Sequence, residues 1–315
     1  SLAACFRTAF LDHFYRPLVS ASFFMDRLLW PDNPAAYHWV NIVLHALGTG
    51  VIVVLVRETF RSWGIGAIAG VLFAVHPVHV GAVAWIGGRT DALGCLWTGL
   101  FLLGLVAGAQ RHGPAWALCL AGGCVAYALA VFTKEQSLAL LPLVPFVFAC
   151  FRTPRGITLP GEGWYVLAPY LVVAALYLAM GAFLGMPGPA PMGATLGEQL
   201  QRFILATVAY TELLLLPNQR AMHALSLEPW NRATPWSVAG GVLIAIGTVV
   251  LFVVWMRRDR RLAWMLTATI LALLPVSNLL PMPFLLYAPY RAAVASIGVV
   301  AILARLLSGL RAELQ

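Results

Sequence analysis

Charge is what this sequence has least of. Only 10% of its 315 residues are Asp, Glu, Lys or Arg, against 61% hydrophobic. A soluble domain carries about a quarter charged residues, so a water-soluble globule is excluded. Lysine is almost absent: Lys134 stands alone against an otherwise all-arginine set of basic residues. The five cysteines, Cys5, Cys95, Cys119, Cys124 and Cys150, form no CxxC pair, which argues against a metal or redox framework. Internal repeats, low-complexity tracts and a signal-peptide pattern are missing. The chain opens on Ser1, which suggests a start inside a longer protein.

What is present is a series of long apolar runs between residues 37 and 307. A membrane-spanning helix needs about 20 mostly apolar residues. In lipid every backbone polar group must be bonded internally, and these runs do not alternate as barrel strands do. The expected fold is therefore all-α, a polytopic bundle of about nine to ten membrane helices in a single domain over 1–315. Spans are expected near 37–56, 64–80, 91–109, 114–132, 136–151, 164–185, 236–256, 262–281 and 287–305. Residues 1–36 read as an outer-face region with a helix lying on the membrane surface. The stretch 186–235 reads as an outer-face loop region, with a short re-entrant or interfacial helix over 202–217. Glu212 sits inside that helix, and a mid-membrane charge costs about 2.5–3.5 kcal/mol on insertion scales.

The formal net charge of +8 would raise nucleic-acid binding in a soluble protein. Here positive loops that set orientation explain it, so no nucleic acid is expected as a partner. If 202–217 does not cross, then Arg57, Arg61, Arg111, Arg152, Arg155, Arg257, Arg258, Arg260, Arg261, Arg305 and Arg311 fall on one side. The positive-inside rule makes that side cytoplasmic. The unusual polar residues then collect on the outer face.

Four constellations stand there, each with a structural and a functional reading. Phe73 to His79 breaks a helix at Pro77, with His76 and His79 flanking the break. Arg89 and Asp91 follow at the start of the next span, where the helix dipole favours a carboxylate. Asp91 reads equally as an N-terminal cap or as a working acid. The two histidines alone make a poor metal site, so a divalent ion is possible but not indicated. Lys134 and Glu135 form either a self-neutralised pair or an anion contact from Lys134, with Glu135 holding it or positioning a neighbour. His38, Asn41 and His45 share one helical face and either bond across the bundle or line a cavity. Arg291, opening the last span, either snorkels or meets a lipid phosphate. Several cations with few carboxylates suit a phosphate carrying a lipid tail. A transporter, with Glu212 as its membrane charge, or a lipid-binding protein would show a similar pattern.

At these residues a resemblance appears. Tyr15-Arg16-Pro17-Leu18, Asn33-Pro34 through His38-Trp39-Val40-Asn41 to Leu44-His45, Phe73 through His79, Gly88-Arg89-Thr90-Asp91 and Lys134-Glu135-Gln136 occur in this order. Leu213 to Pro217 with Leu225-Ser226-Leu227, and Pro275-Val276-Ser277-Asn278-Leu279, follow. The set resembles the transmembrane, TPR-containing O-mannosyltransferases and their bacterial relatives, of the GT-C class of glycosyltransferases. The resemblance implies a sugar donor carried on polyprenyl phosphate and a protein or glycan acceptor. It implies a bilayer setting, here a bacterial inner membrane with the active face periplasmic. It assigns Asp91 and Glu135 to the acidic site, and Arg16, His76, His79, Arg89, Lys134 and Arg291 to the donor phosphate. His38, Asn41 and His45 would line the cavity. Two departures stand out: the family's first span with its acidic pair falls before Ser1, leaving Asp12 as a weak substitute, and no TPR repeats follow. A non-catalytic protein that binds or translocates a polyprenyl lipid is the alternative.

Overall fold

Proline and short polar caps set the helix starts. The computed structural model describes residues 1–8, 10, 14–151, 162–185, 195–216, 234–279 and 288–313. Asp12, Arg152, Arg155, Pro217, Leu225, Ser226 and Leu227 lie outside them. After a short helix α1 (Leu2–Cys5), Pro17 opens α2 (Pro17–Leu29). Pro34 opens α3 (Pro34–Phe60), whose cap Asn33 accepts the Ala36 N–H. Proline suits a first helical position because that N–H has no intrahelical partner. Arg61 ends α3 in the left-handed conformation, and Ser62 caps α4 (Trp63–Val75).

Pro77 forbids helical backbone at His76, which is extended, and so breaks the next segment. A 3-10 turn over Pro77–His79, α5 (Val80–Ala84) and a second turn over Ile86–Gly88 lead into α6 (Arg89–Ala109). Then come α7 (Gly113–Thr133), a 3-10 segment Glu135–Leu140, α8 (Leu143–Phe151), α9 (Glu162–Phe183) and α10 (Leu196–Leu215). The last part holds α11 (Pro235–Arg258), α12 (Arg260–Leu273), turns at Leu274–Val276 and Pro289–Ala292, and α13 (Ala293–Glu313). Among the described residues there is no β-sheet; Phe10 and Phe14 form one isolated bridge.

The protein is thus an all-α, multi-pass membrane protein. Among the described residues six helices are long and apolar enough to cross, and a seventh span results if α4 and the segment Pro77–Ala84, bent by 50°, count as one. The expected spans at 136–151 and 262–281 are not single long helices. Pro142 and Pro275 interrupt them, leaving the nine residues of α8 and the fourteen of α12. The segment expected over 202–217 begins earlier, at Leu196, behind a Thr195–Glu198 capping box. It is not among the spanning helices.

α6 is the axis of the bundle. In the most apolar 18 residues of Ile86–Ala109, 78% are buried, against 6% in the corresponding stretch of α11, which turns its apolar side chains outward as a lipid-facing helix does. α6 packs between α3 and α7. α6 and α7 meet at glycines: a Cβ on Gly104 would fall 2.6 Å from Gly123 Cα. Small residues at such crossings let helix backbones approach closely in a membrane.

Candidate functional site

Antiparallel packing of α6 and α7 puts the start of one beside the end of the other. Asp91 lies in the first turn of α6, and Lys134 is the residue that ends α7. Lys134 Nζ donates to Asp91 Oδ1 at 2.6 Å, with the two side chains 6% and 3% exposed. Gly94, one turn beyond Asp91, leaves room for the lysine stem, which passes 3.9 Å from where a Cβ would stand. Two charges held in so little water are favourable only with good geometry and full pairing.

Glu135, next in the chain, faces the other way. It takes a two-pronged contact from Arg16, with Nε to Oε2 at 2.9 Å and Nη2 to Oε1 at 2.6 Å. Arg16 also lies 4.0 Å over the Phe14 ring, and Tyr177 Oη donates to the Tyr15 carbonyl at 3.2 Å. The expectation that Glu135 orders Lys134 is therefore corrected: Asp91 holds Lys134, and Glu135 holds Arg16 at the entry to α2. The two pairs sense one another, since Arg16 feels the Asp91 charge and Glu135 the Lys134 charge. Burial works against the Glu135 carboxylate, but the Arg16 guanidinium and its hydrogen bonds outweigh it and hold the carboxyl below its ordinary range. Two cations and two carboxylates thus form one cluster at this end of the bundle.

Arg89 is enclosed completely, with none of its surface exposed. Its Nε donates to Asn41 Oδ1, Nη1 to Ser22 Oγ at 3.4 Å, and Nη2 to Asp26 Oδ2 at 2.6 Å and to the Tyr37 carbonyl at 3.1 Å. The guanidinium lies 4.9 Å from the centre of the Phe23 ring. It ties α2 and α3 to the start of α6, where a donor-phosphate contact was expected. Sequence reasoning passed over Asp26 and Ser22; the available signal was a lone carboxylate among the apolar residues of an amphipathic helix.

The histidines divide between elements. His76 Nδ1 accepts the Val78 N–H at 3.1 Å, so Nε2 carries the proton and donates to the Leu214 carbonyl at 3.1 Å, tying the helix break to α10. Ser296 Oγ donates to the Ala293 carbonyl, so His79 Nε2 donates to Ser296 at 3.2 Å, and among the described residues the buried His79 Nδ1 has no partner. His45 bonds the Ala74 carbonyl at 3.2 Å, its ring 4.9 Å from that of His79. Asn41 also donates to the Trp85 and Ile86 carbonyls. His38 is half-buried and bonds to nothing among the described residues. Of that expected face, Asn41 and His45 therefore bond to separate segments, and His38 joins neither. Among the described residues no three His, Cys, Asp or Glu side chains converge as a metal site.

Arg291 sits in the 3-10 turn that opens α13 and is 8% exposed. Gln136 Nε2 donates to its carbonyl at 3.3 Å and to that of Ala272. Tyr210, from α10, donates to the Ala288 carbonyl at 3.4 Å and feels the charges of both Arg291 and Asp91. Arg291 and Asp91 thus both lie close enough to act on the Tyr210 hydroxyl. Tyr210 and Gln136, absent from the expected site, link Arg291 to the cluster.

Fold and site together define a polytopic helical membrane protein with a buried charge cluster at one end of the bundle. No protein-family model matches the chain, and no solved structure matches it. Curated proteins do. The chain is 45% identical to protein O-mannosyl-transferase TMTC1 of Mus musculus over 94 residues, 30% of this chain and 10% of that protein. It is 37% identical to protein O-mannosyl-transferase tmtc2 of Xenopus laevis over 130 residues, 40% of this chain and 15% of that one. With protein O-mannosyl-transferase Tmtc2 of Drosophila melanogaster the identity is 29% over 220 residues, 65% of this chain and 23% of that one. The chain therefore spans less than a quarter of the length of each of these relatives.

Proposed function

We propose that this chain is the membrane part of a GT-C type glycosyltransferase. It moves a hexosyl group from a polyprenyl-phosphate donor to a hydroxyl of a protein or glycan acceptor, on the membrane face where Asp91 and Lys134 lie. Placing the protein in a bacterial inner membrane makes that face periplasmic. The names of the similar proteins support the reaction class, and one observation carries the site: the buried Asp91–Lys134 pair beside Arg16–Glu135, with Arg291 near by.

The cations in that cluster are not exhausted. Lys134 spends one of its three N–H donors on Asp91, and Arg16 spends two of its five on Glu135. The remaining donors suit phosphate oxygens, and Arg291 adds a third charge. In transfer, the acceptor oxygen bonds to the sugar C1 as the bond from C1 to phosphate oxygen breaks. The acceptor proton passes to a carboxylate, to which the reading assigns Asp91. The departing phosphate gains negative charge, which Lys134, Arg16 and Arg291 stabilise. Glu135 fixes the Arg16 fork. Arg89, His76 and His79 act one step back, holding α2, α10 and α13 around the cluster.

The test is transfer from radiolabelled polyprenyl-phosphate sugars by the full-length gene product in liposomes. Transfer that disappears in Asp91→Asn and in Lys134→Ala supports the reading. Full transfer in both variants sinks the residue roles, and tight donor binding without turnover in the unaltered protein replaces the enzyme with a lipid-binding protein.

A further inference from the structure

A second polar cluster lies at the opposite end of the bundle. α6 rises about 30 Å over its length, so the residues after it are a membrane's thickness away from Asp91 and Lys134. There Glu58, 7% exposed, takes a bond from Arg57 Nη1 on Oε1, with Arg111 Nη2 3.7 Å from the same oxygen. Arg61 Nε donates to Gln110 at 2.6 Å, and Gln110 donates to the Glu58 carbonyl at 3.1 Å. Among the described residues two buried atoms here have no hydrogen-bond partner: Glu58 Oε2 and Arg111 Nη1. A charged group's donor or acceptor left unpaired and buried is costly, more so than a neutral one. Three arginines against one carboxylate leave the place net positive.

These two residues stand at the end of a groove of about 630 Å3 between α3, α6 and α7. Beyond Glu58 and Arg111 its lining is apolar, through Gly104 and Gly122 to Trp97 and Leu129. On α7 the lining runs from Ala115 to Leu129, about 20 Å at the helical rise. A Cβ on Gly122 would meet nothing within 4 Å, so this wall faces open space.

We propose that the groove holds an acyl chain of an anionic glycerophospholipid from the arginine-rich leaflet. Its phosphate accepts from Arg111, and a headgroup hydroxyl donates to Glu58 Oε2. Each orphaned atom calls for one part of that headgroup: a buried guanidinium N–H needs an anionic acceptor, and a buried carboxylate oxygen needs a donor. Phosphatidylglycerol supplies both. Phosphatidylcholine has neither the net charge nor the donor. The headgroup sits in the leaflet opposite the one where a phosphate at Lys134 would lie, so this site stands apart from the sugar-transfer reading and from its failure.

Trp97 in the groove provides the signal. The full chain is placed in vesicles mixing phosphatidylglycerol and phosphatidylcholine, with one or the other brominated on its acyl chains. Bromine quenches a tryptophan it touches, and subtracting Trp97→Phe isolates the groove. Brominated phosphatidylglycerol is expected to quench Trp97 at about one tenth of the mole fraction that brominated phosphatidylcholine needs, the worth of one charge-assisted hydrogen bond. Arg111→Gln removes most of that preference and leaves only what the hydroxyl contact to Glu58 supplies. Gly122→Phe fills the groove and removes the Trp97 quenching by both, while leaving the helix packing intact. Equal quenching by both lipids in the unaltered protein overturns the proposal. So does a preference that is undiminished in Arg111→Gln, or quenching that survives Gly122→Phe.

Discussion

Lys134 and Asp91 lie 43 residues apart in the chain and 2.6 Å apart in space, where neither side chain exposes more than 6% of its surface. Removing one partner strands the other's charge in a medium that cannot solvate it. Lys134→Met or Asp91→Leu alone is expected to cost about 3–5 kcal/mol. The double variant should recover most of that loss, because no bare charge remains, yet stay inactive in sugar transfer. Melting temperatures in detergent, read beside transfer rates, check this. A double variant no more stable than the single ones would mean that the pair is not the unit described.

The Arg16–Glu135 contact makes the docking of α2 acid-sensitive. The folded carboxyl titrates below its value of 4.5 in an unfolded chain. Its stabilising effect is therefore complete above that value and is lost as pH falls through the lower, folded value. Protease accessibility around Arg16 should be flat from neutral pH down to about pH 5 and then rise on further acidification. Glu135→Gln should remove the acid-dependent step and weaken the docking at neutral pH by about 1–2 kcal/mol, a modest figure because Glu135 is about a third exposed. A step of unchanged size in Glu135→Gln would assign it to another carboxylate.

Arg89→Lys keeps the charge but not the fork. A lysine cannot reach Asn41, Ser22, Asp26 and the Tyr37 carbonyl from one head group. A loss of about 2–4 kcal/mol is expected, together with looser packing of α2. Asp26→Asn should act in the same direction by a similar amount, and the two changes should be far less than additive because they break one network. Thermal unfolding of the three variants measures the coupling.

Gly104 and Gly122 lie near one another in the bundle and should respond oppositely. A methyl group on Gly104 meets the Gly123 backbone, so Gly104→Ala is expected to push α6 from α7 and cost about 1–3 kcal/mol. Gly122→Ala has open space and gains helix propensity, so it should be neutral or stabilising by up to about 1 kcal/mol. Melting temperatures that fall equally in both would contradict the crossing point described for α6 and α7.

Much of this protein is legible in its sequence. Apolar runs and scarce charge demand a membrane, and a membrane demands that each run bond its own backbone, so helices follow from composition and length alone. Local signals also placed the helix break at Pro77 and the polar residues Asp91, Lys134, Glu135 and Arg16 at one end of the bundle. The number of crossings did not follow as directly, because Pro142 and Pro275 cut two apolar runs into pieces whose fate depends on what packs around them. Nor did the partners. Adjacent Lys134 and Glu135 look like a pair in one dimension, yet an extended backbone at Lys134 and the 3-10 turn that follows point them to Asp91 and to Arg16, 119 residues away from Glu135. Helical periodicity acts over a few residues and is written locally. Which charge neutralises which is settled by how α2, α6 and α7 pack, since in a low-dielectric interior a charge must find its counter-ion wherever the fold brings one.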